Sequence, residues 1–366
     1  MTIGATRGWA LVLLLTSLGA TQAMAQASGG GGTATLGASY STVYGATADI
    51  GFDVDNLFGT GIDVNLSHRG GAEGRASGLG VTRRWSLGDT GLGRDAELAL
   101  SLTASQSDWD NRPYSEQRSK IELSYSAALS ENLRWSGSLF WQQDRLDDLN
   151  AGLSPVLQQD AGTSRAAGAG VALRYDTSLD RGLLDPGLSA HAALRFAVDG
   201  NGYRGTTRVS AGFDTTQPFL GASVWRVAME GGAIRGHGSD GYVHVLDRAF
   251  LGGDAPRGFA WGAAGPHDMT TGDALGGTKY ATASLEMLAP VQGERFAAGL
   301  FADFGSAWGL PGVSGIDDAQ NWRSSVGVSA YWNSGFGAME FGVAKAINTS
   351  PSDDTNRFYF SLNTKF

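Results

Sequence analysis

The chain has 366 residues, with 55 glycines, 9 prolines and no cysteine, and only 17% of it is charged. A glycine share about twice the usual ~7%, without a Gly-X-Y period, excludes collagen, and the missing cysteine excludes disulfide frameworks, thiolate metal sites and a cysteine nucleophile. With 27 basic against 36 acidic residues the net charge is −9, which offers no electrostatic footprint for nucleic acid.

The N-terminus reads as an export signal. Residues 1–7 carry one positive charge at Arg7, an apolar run from Trp9 to Leu15 follows, and Ala23-Met24-Ala25 offers the small-residue pattern of a signal-peptidase site. The run is shorter than the ~20 residues a spanning helix needs, so an uncleaved anchor fits less well. The expected organisation is a signal peptide over 1–25, cleavage between Ala25 and Gln26, a short periplasmic segment over 26–32 and one domain over 33–366. Mean hydropathy of −0.13 is too polar for a helical membrane protein but suits a barrel whose strands alternate apolar and polar residues.

Short alternating segments then repeat to the last residue. They cover 33–42, 46–55, 61–67, 76–85, 96–105, 120–128, 133–142, 166–175, 188–197, 204–215, 224–233, 280–288, 296–304, 323–332, 339–346 and 357–366. Most approach the ~9–11 residues a tilted strand needs to cross a bilayer, and an even number allows an antiparallel sheet to close without a free edge. Long connections at 106–115, 144–164, 234–278 and 305–322 follow odd segments, and short ones at 129–132, 217–223, 290–295 and 333–337 follow even ones. That parity predicts an all-β fold, a single 16-stranded antiparallel transmembrane barrel with its N-terminus in the periplasm. Tyr40, Trp85, Trp109, Trp135, Trp141, Trp225, Trp308, Trp322 and Trp332 fall near segment ends, where amphipathic rings sit at bilayer interfaces. A soluble sandwich or propeller is the competing architecture, but the glycines show no propeller period.

Catalytic chemistry is not visible. His68, His191, His237, His244 and His267 lack the spacing of a zinc site, and neither a nucleophile elbow nor a phosphate-binding loop occurs. No cofactor and no enzyme activity are expected.

The connection at 234–278 holds Leu251-Gly252-Gly253-Asp254-Ala255-Pro256-Arg257-Gly258-Phe259. This resembles the sixth-loop Arg-Gly-Phe motif of the BamA-like superfamily of outer-membrane assembly factors and two-partner secretion transporters (the bacterial surface antigen superfamily). Further landmarks follow in order: 56–61 (Asn-Leu-Phe-Gly-Thr-Gly), Asp176 with 179–182 and Asp185-Pro186-Gly187, then 283–286 (Ala-Ser-Leu-Glu) and 301–308 (Phe-Ala-Asp-Phe-Gly-Ser-Ala-Trp). The resemblance implies that the long sixth loop folds into the lumen and that Arg257, flanked by Gly258 and Phe259, meets Glu286 and Asp303 on the wall. A desolvated guanidinium needs such carboxylates, and a bidentate contact would fix the loop in one place. Pro256 departs from the aliphatic residue usual before this arginine. The alternative is that Arg257 is a solvated loop residue.

The last segment places Phe358 and Phe360 on one face and ends on Phe366, which looks like the assembly signal of outer-membrane proteins. It makes the chain an expected client of the outer-membrane assembly machinery, integral to the bacterial outer membrane and in contact with its bilayer and lipopolysaccharide. The resemblance implies protein insertion, assembly or translocation, with an unfolded outer-membrane or secreted protein as client. The segment 26–32 leaves no room for the periplasmic POTRA domains that usually precede such barrels, so a member lacking them is expected. A passive pore or structural surface protein that keeps the fold is the alternative.

Overall fold

The computed structural model describes residues 23–25, 32–41, 45–71, 74–85, 94–108, 114–149, 152–177, 183–199, 205–292, 295–334 and 337–365. Gln26, Trp109, Phe366 and 179–182 of the mid-barrel turn lie outside these residues.

Sixteen strands form the wall: β1 Gly32–Ser41, β2 Gly45–Val54, β3 Ile62–Gly71, β4 Gly74–Trp85, β5 Arg94–Asp108, β6 Ser115–Ala128, β7 Leu133–Asp147 and β8 Gly162–Asp176, then β9 Gly187–Val198, β10 Thr206–Pro218, β11 Val224–Gly236, β12 Lys279–Gln292, β13 Phe296–Trp308, β14 Arg323–Ser334, β15 Gly337–Asn348 and β16 Phe358–Lys365. Each pairs antiparallel with its sequence neighbour, and β16 pairs with β1 to close the ring. The sixteen-strand reading of the sequence therefore holds. A short extra strand, Ala23–Ala25, lies along the start of β1.

The alternation is inside-out relative to a soluble sheet. Leu36, Ile50, Phe52, Leu66, Leu98, Leu100, Leu102, Ile121 and Leu123 are exposed, whereas the intervening positions turn Asp49, Asp63, Arg69 and Arg84 toward one another across the lumen face. Exposing such side chains to water forfeits roughly 1.5–3 kcal/mol each relative to burial, so this outer face belongs in hydrocarbon. No described helix is long and apolar enough to cross a membrane; the strands do the crossing.

At the short-turn end, outward-facing rings meet in a girdle. Tyr125 lies between Trp85 and Trp135 with centroids 6.3 and 5.4 Å away, Phe219 meets Trp225 at 4.9 Å, and Phe296 stacks on Trp332 at 5.5 Å. The long-loop end is capped. There Leu146, Leu153, Leu157, Val245, Leu246, Phe250, Leu275 and Leu310, drawn from four different segments, pack into one buried cluster. Helix α1, Pro155–Gln158, opens with Ser154 accepting from the Val156 N–H at 3.3 Å and inserts Leu157 into that cluster. Asp160 ties the segments together by accepting from Tyr242 Oη at 2.9 Å and from the Val245 N–H at 2.7 Å, and Arg248 donates to Tyr242 Oη at 2.7 Å.

Candidate functional site

The loop between β11 and β12 enters the lumen, and local backbone geometry explains how. Gly252, Gly253 and Gly258 adopt φ of 118°, 75° and 89°, which non-glycine residues rarely tolerate, and the Ala255–Pro256 bond is cis. Pro256 lies against Gly305 of β13, where a Cβ would approach its Cδ to 2.6 Å. Phe259 is fully buried.

These turns deliver Arg257, 8% exposed, to the wall. Its Nε donates to Asp303 Oδ2 at 2.8 Å and its Nη2 to Asp303 Oδ1 at 3.0 Å, while its own backbone N–H also reaches Oδ2 at 3.1 Å. Nη1 lies 3.4 Å from Glu286 Oε1 and 3.5 Å from Glu340 Oε1. The guanidinium stacks 3.6 Å from the Phe301 ring centroid. Bidentate pairing and cation–π stacking both demand a planar fork, which lysine lacks. Burial pulls the arginine pKa down, but the hydrogen bond and charge of Asp303 with the charge of Glu286 outweigh it, so the net direction is up and the cation is locked.

The carboxylates are held in turn. Ser284 Oγ donates to Asp303 Oδ1 at 2.6 Å, Ser329 Oγ to Glu286 Oε1 at 2.6 Å, and Tyr331 Oη lies 3.0 Å from Glu286 and 3.1 Å from Glu340. Ser325 Oγ donates to the Arg257 carbonyl at 2.5 Å. Strands β12 to β15 thus contribute to one network. Ser284 and Phe301 stand in the motif stretches quoted from the sequence but without a role there, and Glu340, Tyr331, Ser325 and Ser329 were not singled out; the cue available for these four was polar residues at the inward positions of otherwise apolar alternation.

The same segment holds the approach to the last strand. The Asn356 N–H donates to the Gly258 carbonyl at 3.0 Å, the Ala260 N–H to the Asp354 carbonyl at 2.9 Å, and Phe259 bridges Thr355. Arg323 clamps Asp353 bidentately at 3.0 and 2.9 Å. On β16, Tyr359 turns inward over Gly342, where any Cβ would overlap its ring, and meets Phe301 at 6.0 Å. Phe358 is 71% exposed and Phe360 packs outward against Phe341 at 4.7 Å and Tyr40 at 5.7 Å.

The seam these residues guard is short. Among the described residues, strand β16 opposes β1 at five positions, Ser361↔Ser41 to Lys365↔Gly37, whereas β1 opposes β2 at ten. Beyond the seam, Gly32, Thr33 and Ala34 pair with Ala25, Met24 and Ala23.

A family model of the Omp85 superfamily domain matches residues 56–366. The outer membrane protein assembly factor BamA of Neorickettsia risticii is 25% identical over 341 residues, covering 92% of this chain and 45% of that protein; BamA of Neisseria meningitidis serogroup B is 30% identical over 166 residues, 37% of this chain and 21% of that protein. The chain thus spans less than half the length of these relatives. In fold it is similar to the crystal structure of Haemophilus ducreyi BamA lacking POTRA domains 1–3, with a TM-score of 0.76 at 20% identity over 92% of this chain and 70% of that one. CdiB of Acinetobacter baumannii gives 0.57 at 15% identity over 91% and 59%. The chain belongs to the Omp85 superfamily and is an integral β-barrel of the bacterial outer membrane.

Proposed function

We propose that this barrel assists the insertion, assembly or translocation of proteins at the outer membrane, with an unfolded outer-membrane or secreted protein as its client. The observation that carries this reading is the short seam between β1 and β16, whose last strand is held at its root by the lumen loop around Arg257. Unpaired backbone groups at a strand edge are a template for an incoming strand, and lipid cannot satisfy them. Glycine and alanine at Gly37 and Ala38 weaken pairing on the β1 side.

Removal of a signal peptide after Ala25 would also strip Ala23–Ala25 from the edge of β1 and expose Gly32 to Ala34 to a client. Arg257, with Glu286 and Asp303, acts here as a latch that fixes loop six, and through it the chain entering β16. The aromatic pattern of Phe358, Phe360 and Phe366 makes the protein itself a client of the assembly machinery. A passive pore fits less well, because the apolar cap covers the long-loop end.

The test is reconstitution of the folded barrel in liposomes with an unfolded outer-membrane client, scored by heat-modifiability and protease protection. Faster client folding than in empty liposomes, reduced by Arg257→Ala, supports the proposal. Equal rates with a folded barrel present refute it.

A further inference from the structure

The outward face of the wall is not symmetric between its two rims. The short-turn rim, periplasmic in an outer-membrane barrel, carries the aromatic girdle described above. The long-loop rim instead carries cations. By register and alternation, Arg75 on β4, Arg145 on β7, Arg165 on β8, Arg235 on β11, Lys279 on β12 and Lys345 on β15 all point outward, and all are exposed near the outer ends of their strands. Among strand side chains the structure describes, Arg83 is the outward cation at the opposite rim.

Three of the six cations form a built surface. Arg75 opposes Gln106, Gln106 opposes Gln117 and Gln117 opposes Arg145, so one register row crosses β4 to β7. At ~4.8 Å between strands, Arg75 and Arg145 lie about 14 Å apart along the row. Arg75 Nη2 is steadied by Gln106 Oε1 at 2.9 Å, and on the neighbouring strand Arg165 Nε by Gln143 Oε1 at 2.8 Å. Amide partners fix a guanidinium without neutralising it. Asp147 offsets part of the charge by pairing with Arg145, which leaves a net positive row. The next outward row toward the membrane is Ser77, Ala104, Ser119 and Gln143, and the one after it holds Leu102, Ile121 and Trp141, the start of the apolar band. Six described outward cations at the outer-leaflet rim against one at the other, set one small polar row above the apolar band, match a lipid whose phosphates sit above its acyl chains.

We propose that the outward surface from Arg75 to Arg165 across β4 to β8, with Arg75 and Arg145 in one row and Arg165 in the next row toward the membrane, is a docking surface for the phosphates of the outer-leaflet glycolipid, lipopolysaccharide. The inference rests on outer-membrane placement and not on the insertase reading, so either can fail alone. The three guanidinium groups donate to phosphate oxygens, Gln106 and Gln143 hold Arg75 and Arg165 in position, and the apolar residues below receive acyl chains.

The test is retention of purified rough lipopolysaccharide by the refolded barrel in detergent, read by native mass spectrometry, for the wild type, the triple variant Arg75→Gln/Arg145→Gln/Arg165→Gln and Arg83→Gln. None of these residues touches the lumen network. A gain of roughly fivefold per cation near an anionic headgroup predicts about a hundredfold weaker binding for the triple variant, little change for Arg83→Gln, and loss of wild-type binding when the glycolipid is dephosphorylated. Equal retention by the triple variant, or equal binding of dephosphorylated lipid, overturns the proposal. Heat-modifiability confirms that each variant is folded before it is scored.

Discussion

Replacing Arg257 with alanine leaves Asp303, Glu286 and Glu340 facing one another with their shared cation gone. Asp303 and Glu286 are 2% and 5% exposed, so water cannot take the place of the guanidinium without rearrangement. Breaking a buried ion pair from one side costs about 3–5 kcal/mol, and loss of the Phe301 stacking adds about 1 kcal/mol. Most of that cost is the uncompensated carboxylates rather than the lost bonds. Asp303→Asn in the Arg257→Ala background should therefore recover part of it, and the two substitutions should couple by about 2 kcal/mol or more in a double-mutant cycle. The assay is urea unfolding of loop six followed by limited proteolysis within 237–278, beside global unfolding of the barrel by heat-modifiability. Arg257→Lys keeps the charge but not the fork and should fall between wild type and alanine. Simple additivity of the two losses would refute the view that this network is a single electrostatic unit.

Gly258→Ala places a Cβ at φ 89° and 2.9 Å from that of Ala344, so it should loosen the segment by about 1–3 kcal/mol and raise proteolysis near 350–357 while leaving strand content unchanged by circular dichroism. Phe250 is buried in the cap and stacks on Trp261 at 4.6 Å; Phe250→Ala should cost about 3–5 kcal/mol locally and raise single-channel conductance above the wild type, and unchanged conductance would count against the cap as a plug. Burial holds the His267 pKa below its ordinary 6.5, against the opposing hydrogen bond to the Gly265 carbonyl, so the neutral ring favours the docked loop. A depressed pKa gives stability that is present above pH 6.5 and lost as pH falls through the folded value. Proteolysis of 261–275 should thus increase from pH 7.5 to 5, and this dependence should vanish in His267→Asn. Asp268, held below its ordinary range by the Ser154 hydroxyl, titrates outside that window.

The membrane-crossing part of the wall was legible because a two-sided environment imposes a period of two on hydropathy. Where strands rise past the hydrocarbon the pattern stops while pairing continues. The sequence starts the sixth segment at 120, yet β6 begins at Ser115, and β7 runs to Asp147 rather than ending at 142. Those extensions carry Glu116, Arg118, Asp144 and Arg145, polar on both faces, so alternation of hydropathy had nothing to report. The cap was hidden for the opposite reason. Leu153, Leu157 and Leu310 are scattered apolar residues in connections, and only the closed ring brings their segments together. Arg257, Glu286 and Asp303 were named through resemblance in motif order, whereas Glu340 and Tyr331 depend on the register of β14 and β15, which hydropathy does not encode. The glycines beneath Phe301 and Tyr359, Gly327 and Gly342, looked like plain small residues until the rings they accommodate were placed.

Client folding in this mechanism depends on the seam, and the absence of cysteine from the sequence allows a clean lock there. Ser39 and Asn363 oppose each other in register across β1 and β16, so Ser39→Cys/Asn363→Cys can bridge the two strands. In liposomes with an unfolded outer-membrane client, the oxidised barrel should fold client no faster than empty liposomes, and reductant should restore the wild-type rate. Undiminished client folding by the fully crosslinked barrel would contradict the seam mechanism.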